Sequence, residues 1–250
     1  MLDKGLKPLP VEESSRLKST EVRAALERMY ELMSDHFGPT HWWPGDTPFE
    51  IAVGAILTQN TAWSNVEKAI ANLKRERLLS PRAILTCPTE QLEHALAPSG
   101  YFRVKTKRLR SFCSYLIQRY GGSMARMAKR PLEALRQELL DVHGIGPETA
   151  DDILLYACGK TVFVVDAYTR RIFSRHGLVP EKIAYEELRR SFETHVDPDL
   201  HIYKEYHGLI VWTGKEFCRR NPKCTKCPLG PTLKNKRPQS SIRVIRVIRG

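Results

Sequence analysis

The 250-residue chain lacks any apolar run approaching the ~20 residues that a membrane-spanning helix needs. Its start, with Asp3, Lys4, Pro8, Pro10, Glu12 and Glu13, lacks the apolar core of a secretory signal. These absences argue against a helical membrane protein and lead us to expect an intracellular one, in the cytoplasm or nucleoid, or in the nucleus of a eukaryote. Cysteine is scarce too. The six present are too unevenly spaced for a disulfide framework, and Cys87, Cys113 and Cys158 stand alone in helical patterns as apolar filler. No internal repeat is visible. Acid is also in short supply, with 28 Asp plus Glu against 40 Lys plus Arg, a formal net charge of +12. Such a surplus favours a polyanionic partner, and DNA fits better than an anionic membrane surface.

What is present reads as helix. Residues 1–18 are polar, proline-containing and aperiodic, and are expected to form a loose arm. Ser19 or Thr20 can cap a first helix running through Val22, Leu26, Met29, Tyr30 and Met33 to the break at Gly38-Pro39. An aromatic loop broken by Pro44 and Pro48 leads into 49–57, apolar on most sides and therefore buried. Spacing predicts further helices through Val66, Ile70 and Leu73 and over 81–85, 89–96, 105–120, 131–142, 167–176, 185–195 and 200–215. The fold class is all-α, and the length suits one compact domain or two small lobes.

The most specific stretch is 132–166. Leu132, Leu135, Leu139, Leu140 and Val142 give a helix an apolar face, Gly144 and Gly146 stop it, and Pro147 suits the first turn of another. Glycine backbone beside a helix N-terminus can clamp a phosphate. An ordinary αα-turn has the same composition, so context must decide. The second helix continues through Thr149, Ala150, Asp151, Ile153, Leu154 and Tyr156, and a strand-like run, Val162 to Val165, delivers Asp166, then Tyr168, Thr169, Arg170 and Arg171.

That order resembles the helix-hairpin-helix DNA glycosylases of the endonuclease III superfamily, in which a Gly-hydrophobic-Gly hairpin precedes a helix and a catalytic aspartate. Gly144-Ile145-Gly146 matches the hairpin, and Val165-Asp166 with Arg170 or Arg171 matches the catalytic turn. The resemblance covers roughly residues 21–228. It implies a DNA groove between two helical lobes, one formed by 41–159 and the other by 19–40 plus 160–233, with 234–250 as a basic tail. It also implies a monomer acting on double-stranded DNA that carries a damaged base. One departure is chemical: bifunctional members carry a lysine that forms a Schiff base where this chain has Glu148. A carboxylate cannot form an imine, so a hydrolase without lyase activity is expected.

Asp166 is the expected catalytic carboxylate, able to stabilise an oxocarbenium-like sugar or to orient water, and it can cap the next helix as well. Glu148 can touch the base, move a proton, or only favour the positive start of its helix. Trp42, Trp43, Pro44 and Trp63 suit either a pocket for a flipped base or a hydrophobic plug between lobes. The Trp-Trp-Pro loop, Leu-Thr-Gln-Asn-Thr followed by Trp63, and Glu148 together resemble the 3-methyladenine DNA glycosylase III branch, where the loop and the aromatic line an alkylbase pocket. On the same resemblance Gln59 fills the gap left by the flipped nucleotide and Tyr101 is a wedge. Arg103 and Lys105 belong to a cationic stretch expected to face phosphate, with a solvated helix face as the alternative.

Cys218, Cys224 and Cys227 look like the remains of the superfamily's four-cysteine (4Fe–4S) loop, with Leu233 in the last place. A three-cysteine cluster, a zinc with a distant fourth ligand and a metal-free loop all stay open, and the chemistry requires no cofactor. The function expected is excision of an alkylated purine by a monofunctional glycosylase. The alternatives are an endonuclease III-like enzyme for oxidised pyrimidines or mismatched bases and a non-catalytic DNA-binding module.

Overall fold

The computed structural model describes residues 19–233, so the expected arm and basic tail lie outside the described residues. Twelve α-helices and no strand occur among the described residues. The centre is α2 (Pro48–Leu57), whose residues are nearly all buried. Its start is fixed by Pro48 and by Thr47, whose Oγ1 accepts from Glu50 N at 3.1 Å. Around it pack α3 (Trp63–Arg75), α6 (Phe102–Tyr120) and the helix that follows the glycine hairpin. Short helices α4 (Pro81–Thr86) and α5 (Thr89–Leu96) lie against α6. The sequence pattern does not announce α7 (Met124–Met127), a single turn capped by Ser123.

Helix α1 (Ser19–Phe37) packs at the other end of the chain, against α11 (Tyr185–His195) and α12 (Leu200–Glu216). Its carbonyl at Leu26 accepts from Tyr206 Oη at 2.8 Å. The hairpin joins α8 (Leu132–Leu140) to α9 (Pro147–Asp152), and Gly144 takes φ +87, a region closed to most side chains. The second hairpin helix, expected to run α-helical to Cys158, widens into a π turn at Ile153–Ala157. Residues 161–166 form neither helix nor strand. Their apolar side chains, Val162 to Val165, are instead sealed in the core, and Phe163 N donates to Glu193 Oε1 at 3.0 Å. This buried leash fixes where α10 (Ala167–Arg175) begins, and Asp166 is its first cap residue. None of the described helices is long and apolar enough to cross a membrane.

Candidate active site

Asp166 closes a capping box. Its Oδ1 accepts from Thr169 N at 2.7 Å and from Thr169 Oγ1 at 2.9 Å, while Thr169 Oγ1 accepts from Asp166 N at 3.2 Å. The expectation of a cap therefore holds in geometry, and it leaves Oδ2 for other work. His207 on α12 brings its Nε2 to 3.9 Å from Oδ2.

Glu148, in the first turn of α9, shares this space. Crowding by surrounding protein and the like charge of Asp166 lift its carboxyl to about 7, against the opposing pull of Arg170. The residue is nevertheless exposed to solvent. One turn further on, Asp152 is buried with Oδ1 unpartnered. Burial first, then the charges of Glu148, Asp166 and Asp151, push it well above the usual carboxylate range. Its neighbour Asp151 is held quite differently: Arg136 donates from Nε at 2.7 Å and Nη2 at 3.1 Å, and Tyr185 Oη at 2.8 Å. That network ties α8 and α9 to α11.

The tryptophans gather beside these carboxyls. Trp43 lies edge-on to Trp63 at 5.2 Å and 82°, edge-on to Trp42 at 6.0 Å, and tilted over Tyr156 at 5.1 Å. Gly54 in α2 makes room, since a Cβ there would meet Trp63 at 3.2 Å and Trp43 at 3.4 Å. The loop is anchored on α12: Thr40 N and Oγ1 donate to Glu205 Oε2 at 2.7 and 3.0 Å, and Gly208 admits the Trp42 ring. The indole N–H groups of Trp42 and Trp43 are buried without acceptors. Lys215 Nζ sits 5.1 Å from the Trp42 ring centroid, with burial lowering its pKa against the pull of Asp166 and Glu67. Pro44 stands exposed in the same loop. Trp43 thus reaches Asp166 through Tyr156 and His207, while among the described residues Pro44 and Trp63 make no direct contact of this kind with either carboxylate.

Of the residues expected to meet DNA, Tyr101 is 67% exposed at the N-terminus of α6, in a left-handed conformation with φ 47. Arg103 is also exposed, 3.8 Å from Glu93. Gln59 reaches the hairpin, donating to Gly144 O at 3.0 Å and Thr149 Oγ1 at 2.9 Å and accepting from Arg108. The stem of Arg108 covers the Gly144 Cα so closely that no Cβ fits. Gly146 has open space around it, and Ile145 is buried as the hairpin's anchor.

Two cations behave otherwise than expected. Lys105 is only 1% exposed, and its ammonium donates to Leu57 O at 2.8 Å and Ser99 O at 2.6 Å. It cannot face phosphate from there, because these carbonyls end α2 and precede the Tyr101 turn, and they hold it in the core. Arg171 is spent on the cysteine loop, donating to Cys218 O at 2.6 Å and Gly214 O at 3.2 Å. Arg170 stays near Glu148, with Nε unpartnered.

A family model described as HhH-GPD superfamily base excision DNA repair protein matches residues 53–198. The chain belongs to this superfamily. A protein of Methanocaldococcus jannaschii provisionally named a DNA repair glycosylase is 47% identical over 81% of this chain and 92% of its own length. Endonuclease III of Thermotoga maritima is 29% identical, over 72% of this chain and 79% of its own. Among solved structures, the H. pylori 3-methyladenine DNA glycosylase MagIII bound to 1,N6-ethenoadenine superposes with TM-score 0.66 and 31% identity, covering 80% of this chain and 98% of that one. This HhH-GPD protein is a DNA N-glycosylase acting on damaged bases.

The cysteine loop corrects an expectation. Among the described residues no group of three or more His, Cys, Asp or Glu side chains can hold a metal ion, so neither a residual 4Fe–4S cluster nor zinc has a site there. The donor set explains why. Leu233 supplies no ligand, burial first of all pushes the Cys227 thiol up to about 11, and Arg175 Nη1 donates to Cys218 Sγ at 3.3 Å. Arginine on a thiol and on the Arg219 carbonyl, at 2.7 Å, closes the loop. Asp152, Tyr156 and His207, which the fold brings close to Asp166, do not stand out in the sequence pattern. The available signal was polarity out of place: an Asp pair before Ile153-Leu154-Leu155, and a histidine before Gly208-Leu209-Ile210.

Proposed function

We propose that the chain is a monofunctional glycosylase whose pocket takes an alkylated purine, with Asp166 and Glu148 as its catalytic pair. The observation that carries this reading is the wall of Trp42, Trp43 and Trp63 beside two carboxyls of unlike environment. In the proposed complex the duplex lies across two lobes, 41–159 against 19–40 with 160–233. Tyr101 acts as wedge, Gln59 fills the gap, and Arg103, Arg170 and the Gly144-Ile145-Gly146 hairpin hold the backbone.

The N-glycosidic bond breaks with its electron pair leaving on the base, and water adds to the sugar to give an abasic site. Asp166, as carboxylate, stabilises the positive sugar and receives the water's proton. A cationic purine departs without help and gains roughly 0.5–2 kcal/mol per well-placed ring. Because Lys215 already engages Trp42, that selection rests on Trp43 and Trp63. A neutral purine needs a proton, and Glu148, lifted to about 7, can give one. The glutamate also leaves no amine for Schiff-base chemistry at that place.

Ancestry supports a second reading, since endonuclease III recurs among the curated relatives, together with a thymine/uracil-DNA glycosylase of Pyrobaculum aerophilum. Duplexes carrying 3-methyladenine, 1,N6-ethenoadenine, thymine glycol or a G·T mismatch discriminate the two. Release of either purine is the expected result. Release of thymine glycol or thymine with both purines untouched would establish the endonuclease III-like reading instead, and no release from any duplex would favour a non-catalytic DNA-binding module.

A further inference from the structure

His207 is an unusual group to find behind a carboxylate. It is 3% exposed on α12, its Nδ1 lies 2.7 Å from Tyr156 Oη, and its Nε2 has no hydrogen-bond partner. A buried, unpaired ring nitrogen is costly unless it acquires a partner during function. Asp166 Oδ2, the oxygen that the Thr169 cap does not use, lies 3.9 Å away. That gap is too long for a hydrogen bond. Catalytic hydrogen bonds are commonly long before substrate binds and tighten around it.

We propose that His207 is a positioning residue for Asp166, donating from Nε2–H to Oδ2 when a base occupies the pocket, with the tautomer set by Tyr156 donating to Nδ1. This rests on Asp166 being the catalytic carboxylate. The chain of contacts gives the pocket a way to act on the carboxylate. Trp43 leans on Tyr156 at 5.1 Å, Tyr156 holds Nδ1, and Nε2 faces Asp166. A base seated against Trp43 therefore presses on the group that orients the tautomer. Burial lowers the imidazole pKa, against the pull of Asp166.

The tautomer is read directly on the unmodified protein. Ring-nitrogen NMR should show His207 as Nε2–H with a bare Nδ1, and the Nδ1–H tautomer would overturn the proposal. Kinetics supply the second arm. His207→Gln can present an N–H near the Nε2 position, whereas His207→Asn can replace only Nδ1. Under single-turnover conditions His207→Asn should slow base release roughly 10–100-fold, the range a hydrogen bond to a charged group carries, with Kd for damaged duplex unchanged. His207→Gln should recover most of that rate. Equal rates for parent, Gln and Asn variants would refute positioning by His207, as would equal loss in both variants alongside equal loss of thermal stability. If Asp166→Asn also retained full activity, the fault would lie with the catalytic assignment and not with the tautomer.

Discussion

Replacing Asp166 by Asn separates its two jobs. The cap needs an oxygen that accepts from Thr169 N and Oγ1, at 2.7 and 2.9 Å, and an amide oxygen supplies one. Asn caps helices about as well as Asp, so stability should change by only a few tenths of a kcal/mol, roughly. Asp166→Ala loses the cap and should cost ~1 kcal/mol, a melting shift of roughly 2–4 °C for a chain of this size. Chemistry depends instead on charge. A full charge about 4 Å from a cationic sugar is worth up to ~4 kcal/mol at an effective dielectric of about 20. The sugar carries only part of that charge, so a loss of about 10²–10³-fold in base release is expected for Asn and Ala alike. Single-turnover release with enzyme in excess, alongside thermal melts, checks both. An Asn variant that melts like the parent and keeps more than a third of its rate would show that Asp166 is a cap and nothing more.

Glu148 sits near 7 against a free value of 4.5, so its acid form persists to neutrality. Release of a neutral purine should fall as pH rises through about 7, and Glu148→Gln should flatten that limb. The stability sign follows the raised pKa: the contribution is complete below 4.5 and lost as pH rises through about 7, so Glu148→Gln should melt with less pH dependence than the parent. Borohydride should trap no covalent adduct during turnover, and the strand should stay intact until alkali is added. Efficient trapping would send attention to Lys215, which burial makes easier to deprotonate. Glu148→Lys, if its amine is partly neutral in the cleft, should trap weakly. Asp151→Ala strands Arg136 in the core with only Glu186 for company, at 2.6 Å, and should cost about 3–5 kcal/mol in denaturant unfolding.

The helices were legible because their signals are local. Pro48, Pro81 and Pro147 stand at helix starts, Gly144 and Gly146 break the chain at the hairpin, and apolar spacing follows. Asp166 and Glu148 stood out through the resemblance of the hairpin and the Val165-Asp166 turn to a known family, and the structure sets them in the same region, with the charge of Asp166 raising the Glu148 pKa. Burial of long polar side chains was not legible. Lys105 reads as one cation among five in 103–110, and only the folded chain brings Leu57 O and Ser99 O, from segments about as far apart in sequence as α2 and α6, to its ammonium. Arg171 is likewise indistinguishable from Arg170 until α12 and the cysteine loop arrive. His207 was hidden for the converse reason: a histidine on an apolar helix face reads as core filler, and its partner Tyr156 lies 51 residues away.

The cysteine loop is held without a metal site among the described residues. A cluster contributes charge and bonds that hold an irregular loop against a helix, and a loop without one needs other donors for its carbonyls. Here Arg171 and Arg175, one turn apart on α10, donate to Cys218 O, Gly214 O and Arg219 O, and Thr232 Oγ1 meets His176 Nδ1 at 2.9 Å. The arginines arise from the same helix that Asp166 caps. Loop and carboxylate are therefore joined through one rigid element about two and a half turns long. Loosening the loop should disturb where Asp166 points.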